Sequence, residues 1–348
     1  MSEPNGTIHN SNGHAAVADS RERVLQRIRA DSRFVLATHE NMDGDALGSL
    51  VAMQGLLIAL GKDAPMFIAP SELPLPHEYR FFVLEHMIQV APADIAQRTV
   101  VFLDCGNIDR NSAEVLRDGA HLLNIDHHHD NTRFGTINHV VPSASSTAEI
   151  VWGLMGELGV EPTPAVAEAL YVGLITDTGR FMYENTGPGA HQMAAALIAA
   201  GVDVQGVYRR LFEEMPFAKL TLFARALSQV CRHDDGELTL AWLSADDFQA
   251  AGAEASYSEG IVDILRAVQG TKVAGLVREL IDSDRRGEHK VSLRATDDDV
   301  DVSLIARAQG GGGHRRAAGF STTLELEELI AFLRREVAAQ LHPAPAHA

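Results

Sequence analysis

From about residue 21 to residue 201, short apolar runs alternate with helix-length segments. Residues 33–38, 65–69, 99–103 and 122–125 are rich in Val, Phe, Leu and Ile and predict buried strands. Between the first two, residues 46–60 predict a helix that stops at Gly61. Further helices are expected at 145–158, 164–175 and 188–200. Such alternation implies an α/β fold with a largely parallel sheet flanked by helices.

Residues 203–229 carry no strand signal and keep helical periodicity through Leu211, Leu222, Phe223 and Leu227, which predicts a helical connector. Beyond it, 237–243, 272–280 and 290–295 predict strands, while 300–308 and 324–340 predict helices. That is the pattern of a second, smaller α/β domain. The expected division is a disordered tail at 1–20, a first domain at 21–201, the connector at 202–229, a second domain at 230–342 and a tail at 343–348.

Composition adds boundaries to this picture. A chain of 348 residues with 46% hydrophobic content has room for two ordinary globular domains. No apolar run is long enough to span a bilayer, and the polar first twenty residues lack the apolar stretch of a secretory signal. Two cysteines, Cys105 and Cys231, are too few for a disulfide framework and suit a reducing cytoplasm. The formal charge of −18 argues against a general nucleic-acid coat. It does not exclude small anionic substrates, because bound divalent cations reverse the sign of a site locally.

The chemistry concentrates where strands are expected to end. Asp126-His127-His128-His129 follows the apolar run Leu122, Leu123, Asn124, Ile125, and open α/β sheets place their chemistry at strand carboxyl ends. An acid beside consecutive imidazoles offers oxygen and nitrogen ligands suited to a transition metal. Three further sites fall in matching positions. His39, Asp43 and Asp45 lie between the first strand and first helix, in a loop that Gly44 lets curl; a capping role competes for those acids. Asp104 terminates an apolar strand, where a lone buried carboxylate is costly, and a salt bridge or turn is the alternative. Asp177 ends an apolar helix, where the helix dipole disfavours an anion and a cation would resolve the conflict. Together they form the inventory of a two-metal hydrolase, in which a bridging carboxylate holds two divalent cations that activate water for displacement at phosphorus. Mixed His and Asp ligands favour Mn²⁺ or a similar ion over Ca²⁺.

A fifth feature is Gln309-Gly310-Gly311-Gly312-Gly313-His314-Arg315-Arg316. Four glycines let backbone N–H groups turn toward an anion, and the following cations add charge. Ser292 and Arg294 on the preceding strand are candidate further donors, Arg294 as a bidentate phosphate clamp.

These residues resemble the DHH phosphoesterase family. His39, Asp43-Gly44-Asp45, Asp104, Asp126-His127-His128 and Asp177 match its four N-terminal motifs in order. The four glycines with His314 and Ala317-Ala318-Gly319 match the signature of the DHH-associated C-terminal domain, so the resemblance runs from about residue 21 to residue 342. The layout is similar to the subgroup that hydrolyses short oligonucleotides and removes the 3′-phosphate from 3′-phosphoadenosine 5′-phosphate.

The resemblance implies one metal on His39, Asp43 and Asp104, and a second on Asp45, Asp104, His127 and Asp177. Asp126 is then expected to orient its neighbouring imidazole, and His128 to contact the scissile phosphate or donate a proton. Ser292, Arg294, Gly310, Gly311, Gly312, Gly313 and His314 would hold the substrate's other phosphate, in a cleft between the domains that favours short substrates. The implied cofactor is two divalent cations, with Mn²⁺ preferred. The implied partners are short single-stranded oligonucleotides or nucleoside bisphosphates, without a membrane, in a cytoplasmic enzyme for which a homodimer stays open. Met42 departs from the family's usual Pro, and His129 is an added imidazole expected to be exposed or outside the ligand set. The rival readings are a cyclic-di-AMP or linear dinucleotide phosphodiesterase in signalling, a pyrophosphatase or polyphosphatase, and a non-catalytic nucleotide-binding regulator.

Overall fold

Phe34 and Leu36 of the first strand pack into one hydrophobic core while Val35 and Ala37 pack into another. A strand apolar on both sides must be covered on both faces, as in parallel sheets clothed by helices. The computed structural model describes residues 11–111, 113–281, 285 and 287–342. It divides into two units, Met1–Glu214 and Met215–Ala348.

The first unit contains α1 (Ser11–Ala30), β1 (Phe34–Ala37), α2 (Gly44–Ala59), β2 (Met66–Phe67), β3 (Met87–Ile88), β4 (Thr99–Leu103), β5 (His121–Asp126) and β6 (Ile137–Val140). Then come α3 (Thr147–Glu157), α4 (Pro164–Asp177), α5 (Pro188–Ala199) and α6 (Val204–Tyr208). Its sheet is parallel throughout, with six strands among the described residues in the order β3-β2-β1-β4-β5-β6. Strand order reverses between β1 and β4, and the crevice beyond the carboxyl ends at such a reversal is where open α/β sheets bind ligands.

Helix α1 corrects the expected tail. Residues 11–20 are helical, continuing through Ala15, Ala16 and Val17 into the arginine-rich turn, and the Ser20 hydroxyl meets His139 Nδ1 at 3.0 Å. Ala15, Ala16 and Ala18 favour the helix, whereas its first residues, Ser11 to Gly13, carry no helix signal of their own. The tails at 1–10 and 343–348 lie outside the described residues. The expected strands and helices are otherwise present, while the two-residue β3 and the short β6 are additions to the sequence reading.

Helices α2 and α4 touch closely because glycine stands at the contact. A Cβ at Gly48 would lie 2.4 Å from the Ala169 carbonyl oxygen, a backbone atom that cannot swing away. Gly48→Ala is therefore expected to cost at least about 2 kcal/mol through overpacking. Urea unfolding checks this, and an unchanged midpoint would refute the close contact.

The helical connector is present, and its halves join different cores. Helix α6 and the π-helical turn Arg209–Glu213 belong to the first unit. Helix α7 (Phe217–Ser228) buries Leu222, Phe223 and Ala226 in the second. The second unit continues with β7 (Cys231–His233), β8 (Leu238–Leu243), α8 (Ala245–Ala251), α9 (Ile261–Arg266), β9 (Val273–Glu279) and β10 (His289–Ala295). It ends with α10 (Val302–Arg307), β11 (Gly312–His314), β12 (Ala317–Thr322) and α11 (Leu326–Leu341). Its sheet is mixed, in the order β11-β12-β10-β9-β8-β7, with β8 and β9 parallel and the other pairs antiparallel. Among the described residues no helix is long and apolar enough to cross a membrane.

Candidate metal centre

Each acid expected at a strand end stands there, and the sheet order brings them together. His39 follows β1, Asp104 follows β4, and Asp126 closes β5. Asp45 lies in the first turn of α2, and Asp177 is the last residue of α4. Three sets of ligand atoms each fall within 4.8 Å of one another: His39, Asp43 and Asp104; Asp45, His127 and Asp177; and Asp104, His127 and His128. Asp104 is the residue shared between the sets around His39 and His128, and its Oδ1 lies 3.7 Å from His127 Nε2.

Asp104 reaches this position through an unusual backbone. Its φ of 54° is left-handed, a conformation that aspartate tolerates better than most side chains and that turns it away from the strand's pleat. Its Oδ2 lies 3.5 Å from His39 Nε2, and its Oδ1 accepts a bond from Thr147 Oγ1 at 3.0 Å. Burial disfavours the charge on Asp104, yet the His39 bond and the charges of His128, His39 and His127 outweigh it and hold the carboxyl below its usual range. Burial likewise opposes protonation of His39, but the Asp104 bond and Asp43 raise its pKa.

Asp43 caps a helix and also lies in the candidate ligand set. Its Oδ1 caps α2 by accepting from Asp45 N at 3.1 Å and Ala46 N at 3.0 Å, and its carboxylate still belongs to the His39 set. Met42 is buried in the core.

The imidazoles divide their work differently from the expectation. Asp126 Oδ1 accepts from His128 Nδ1 at 2.7 Å and from the backbone N–H groups of His127 and His128, while Asn131 Nδ2 donates to its Oδ2. The ring Asp126 orients is thus that of His128. His127 instead points Nδ1 at the Ala144 carbonyl, 3.3 Å away, which leaves Nε2 facing Asp104 and Asp177. Burial opposes a charged His128, but Asp126 and Asp104 overcome it and push its pKa up to about 9. His129 is exposed.

The donor set fits divalent cations on a charge argument. Burial and the carboxylates of Asp104, Asp177 and Asp43 push Asp45 well above the ordinary range. Burial first, then repulsion from Asp104 and Asp43 against the pull of His127, raises Asp177 to about 7. No lysine or arginine pairs with Asp43, Asp45, Asp104 or Asp177 among the described residues. Buried carboxylates of one sign need compensating charge, and imidazole nitrogen with carboxylate oxygen is a transition-metal shell.

Two residues around these acids escaped the sequence reading. Asp45 is held at the N-terminus of α3, where Thr147 N donates to Oδ2 at 2.6 Å and Ala148 N donates to Oδ1 at 2.9 Å. Asn185 Nδ2 donates to Ser145 O, Asp177 O and Asp177 Oδ2, at 2.8, 3.1 and 3.3 Å. These three acceptors fix the amide's orientation and leave Asn185 Oδ1 buried without a protein partner. The Ser146-Thr147-Ala148-Glu149 stretch has the composition of a capping motif, which was the available signal for Thr147; no local signal marks Asn185.

Part of the glycine stretch is sheet: Gly312, Gly313 and His314 form edge strand β11, paired with Gly319, Ala318 and Ala317. Glycine is needed there for close backbone approach, since a Cβ at Gly311 would lie 2.2 Å from Gly319 O and one at Gly313 2.5 Å from Ala317 O. Gly310 adopts a φ of 74° at the turn before the strand. The charges expected from Arg315 and Arg316 are compensated, as both engage Asp298 and Arg315 also approaches Asp301. Register places Ser292, Gly319 and Gly312 in one row, and Arg294, Ala317 and His314 in the row two positions along. Arg294 is half-buried, donates to its neighbour Leu293 O and has Nε 3.6 Å from Asp263. The side chain of His314 lies outside the described part.

Residues 33–174 match the model of the DHH family, N-terminal domain, and residues 241–339 match that of the DHHA1 domain. The chain is 35% identical over 288 residues to the bifunctional oligoribonuclease and PAP phosphatase NrnA of Thermus thermophilus, covering 82% of each. It is 24% identical to the protein of that description from Bacillus subtilis, over 86% of this chain and 93% of that one. Its fold is shared with a Bacteroides fragilis exopolyphosphatase-related protein, with a TM-score of 0.81 at 21% identity over 93% of this chain and 97% of the other. With both domain models matched in order and the His/Asp ligand sets gathered at the strand ends, the chain belongs to the DHH family of phosphoesterases and carries a DHHA1 domain as its second unit.

Proposed function

We propose that this phosphoesterase hydrolyses short oligonucleotides to mononucleotides and also converts 3′-phosphoadenosine 5′-phosphate to AMP. The carrying observation is the convergence of His39, Asp43, Asp45, Asp104, His127 and Asp177 at the strand ends, in a chain 35% identical to a bifunctional oligoribonuclease and PAP phosphatase. His39, Asp43 and Asp104 would hold one cation, and Asp45, Asp104, His127 and Asp177 the other, with Mn²⁺ the preferred ion. When bound, the cations supply Lewis acidity toward phosphoryl oxygen and water.

The chain's own residues do the rest. Asp126 accepts from His128 Nδ1 and so aims a ring that would contact the scissile phosphate or give a proton to the departing oxygen. Ser292, Arg294, the backbone of Gly310, Gly311, Gly312 and Gly313, and His314 would bind the substrate's second phosphate, with Ala317 and Gly319 leaving room between them. A phosphate held apart from the reacting one favours short substrates. The thiols Cys105 and Cys231 are both free, which suits action in the cytoplasm.

The test incubates the purified protein with Mn²⁺ or EDTA and, separately, a linear dinucleotide, 3′-phosphoadenosine 5′-phosphate, cyclic di-AMP and pyrophosphate. Mn²⁺-dependent release of mononucleotide from the first two is expected. Turnover of cyclic di-AMP or pyrophosphate alone would overturn the assignment, as would cation binding without any turnover. In the same assay Arg294→Ala should raise KM for the dinucleotide roughly tenfold or more with kcat nearly kept, the signature of lost uniform binding. A fall in kcat at unchanged KM would remove Arg294 from the phosphate site.

A further inference from the structure

The ligands of the second cation are held by one short segment that takes no part in the ligand set. Ala144 O receives the His127 ring N–H, Thr147 N and Ala148 N hold both oxygens of Asp45, and Thr147 Oγ1 holds Asp104. Asp177 joins through Asn185, whose amide bridges its carboxylate to Ser145 O. The segment itself is locked, because Glu149 Oε2 accepts from both the N–H and the hydroxyl of Ser145 and Ser146 Oγ accepts from Glu149 N. The first cation's other ligands are held elsewhere: His39 Nδ1 meets Glu40 O at 2.7 Å, and Asp43 caps α2.

We infer that residues 144–149, tied to Asp177 by Asn185, form the positioning element of the second cation and set its affinity separately from that of the first. Thr147 and Asn185 are its two side-chain contacts and act as positioning residues, not ligands. This rests on the two-cation reading above. The physical basis is that ligands already aimed at a shared point lose little freedom on binding, and partners behind the ligands commonly change affinity 10- to 100-fold. Asn185 fits this role twice over, since its remaining oxygen is buried beside Asp177 with no protein partner.

The experiment titrates the EDTA-stripped full-length protein with Mn²⁺ alone, following heat by calorimetry and the coupling of paired ions by electron paramagnetic resonance. Wild type should show two steps and a coupled pair. Asn185→Ala, which releases only Asp177, should weaken the second step about tenfold or more, leave the first unchanged, and delay the coupled signal, whereas Thr147→Val, which keeps the backbone N–H but frees the shared Asp104, should weaken both steps. Thr147→Ser, which returns the hydroxyl, should restore both steps. Melting of the stripped variants near the wild-type temperature would separate positioning from folding. Wild-type binding in Asn185→Ala, or equal weakening of both steps in that variant, would overturn the inference while leaving the two-cation reading standing. Failure of the wild type to take up Mn²⁺ would overturn both.

Discussion

Asp104→Ala is expected to lower Mn²⁺-dependent hydrolysis of a linear dinucleotide on the order of 10⁴-fold, about 5 kcal/mol of transition-state stabilisation. The size follows from the number of roles that meet in one side chain. Asp104 lies between His39 on one side and His127 and His128 on the other, so its loss removes a ligand from both proposed cation sites at once. No neighbour can replace it, because Asp45 is held by α3 and Asp43 caps α2. Its loss also leaves the Thr147 hydroxyl without the acceptor that aims it. The kinetic signature is a collapse in kcat, since the residues proposed to bind the second phosphate are untouched. Turnover within tenfold of wild type, in protein that binds substrate, would refute the bridging role.

The second large effect is on stability. Asp177→Asn should stabilise the EDTA-treated protein by about 2–4 kcal/mol at pH 8 and have little effect near pH 4. The ordinary Asp pKa of 3.8 is raised to about 7 at Asp177, by burial first and then by Asp104 and Asp43 against His127. Between those values the folded protein binds the proton more tightly than the unfolded chain does. The stabilisation is fully present below 3.8 and is lost as pH rises through 7. Above pH 7 an anion remains at the C-terminus of α4, facing other acids and the helix dipole. Asparagine removes the charge and keeps a carbonyl oxygen for Asn185 to donate to. In wild type, added Mn²⁺ should offset the destabilisation, and more so at pH 8 than at pH 5, because cation binding and ionisation favour each other. Urea unfolding in EDTA across this range checks the sign, and parallel pH curves for the two proteins would defeat it.

Both expectations rest on a site assembled against local preference. Asp104 sits at a left-handed φ, and Asp177 and Asp45 resist ionisation. Such costs persist where the surrounding structure and a ligand over-determine the geometry. The α2–α4 contact at Gly48 and the hydrogen bonds from α3 supply that support.

Much of this was legible along the chain because the relevant signals are local. Strand β4 could be read from Val100, Val101, Phe102 and Leu103, since a strand buried on both faces is apolar at every position. Asp104, Asp126 and Asp177 were visible as acids ending apolar segments, where an unpaired charge is costly. Strand β3 was not legible, as two residues carry no periodicity. Strand β11 was hidden because glycines read as a loop in sequence, although their small size is what lets β11 approach β12. Residues 11–20 look polar enough to be a tail, yet they extend a helix whose later turns bury Val24, Leu25 and Ile28 in the core.

What the sequence by itself determined is the identity of the chemistry: which residues can donate to a cation, and that they stand at the ends of buried elements. That follows from side-chain type and hydrophobic period, which need only near neighbours. Tertiary structure alone decided which donors share a cation and what aims them. The reversal of strand order between β1 and β4 sets His39 against Asp104 across 65 residues of chain, and α3 brings Thr147 to Asp45 across 102. It also gave Asp126 to His128 rather than His127, and joined Asn185 to Asp177. Hydrogen bonds between segments depend on the position and direction of two backbones, and no local pattern encodes either.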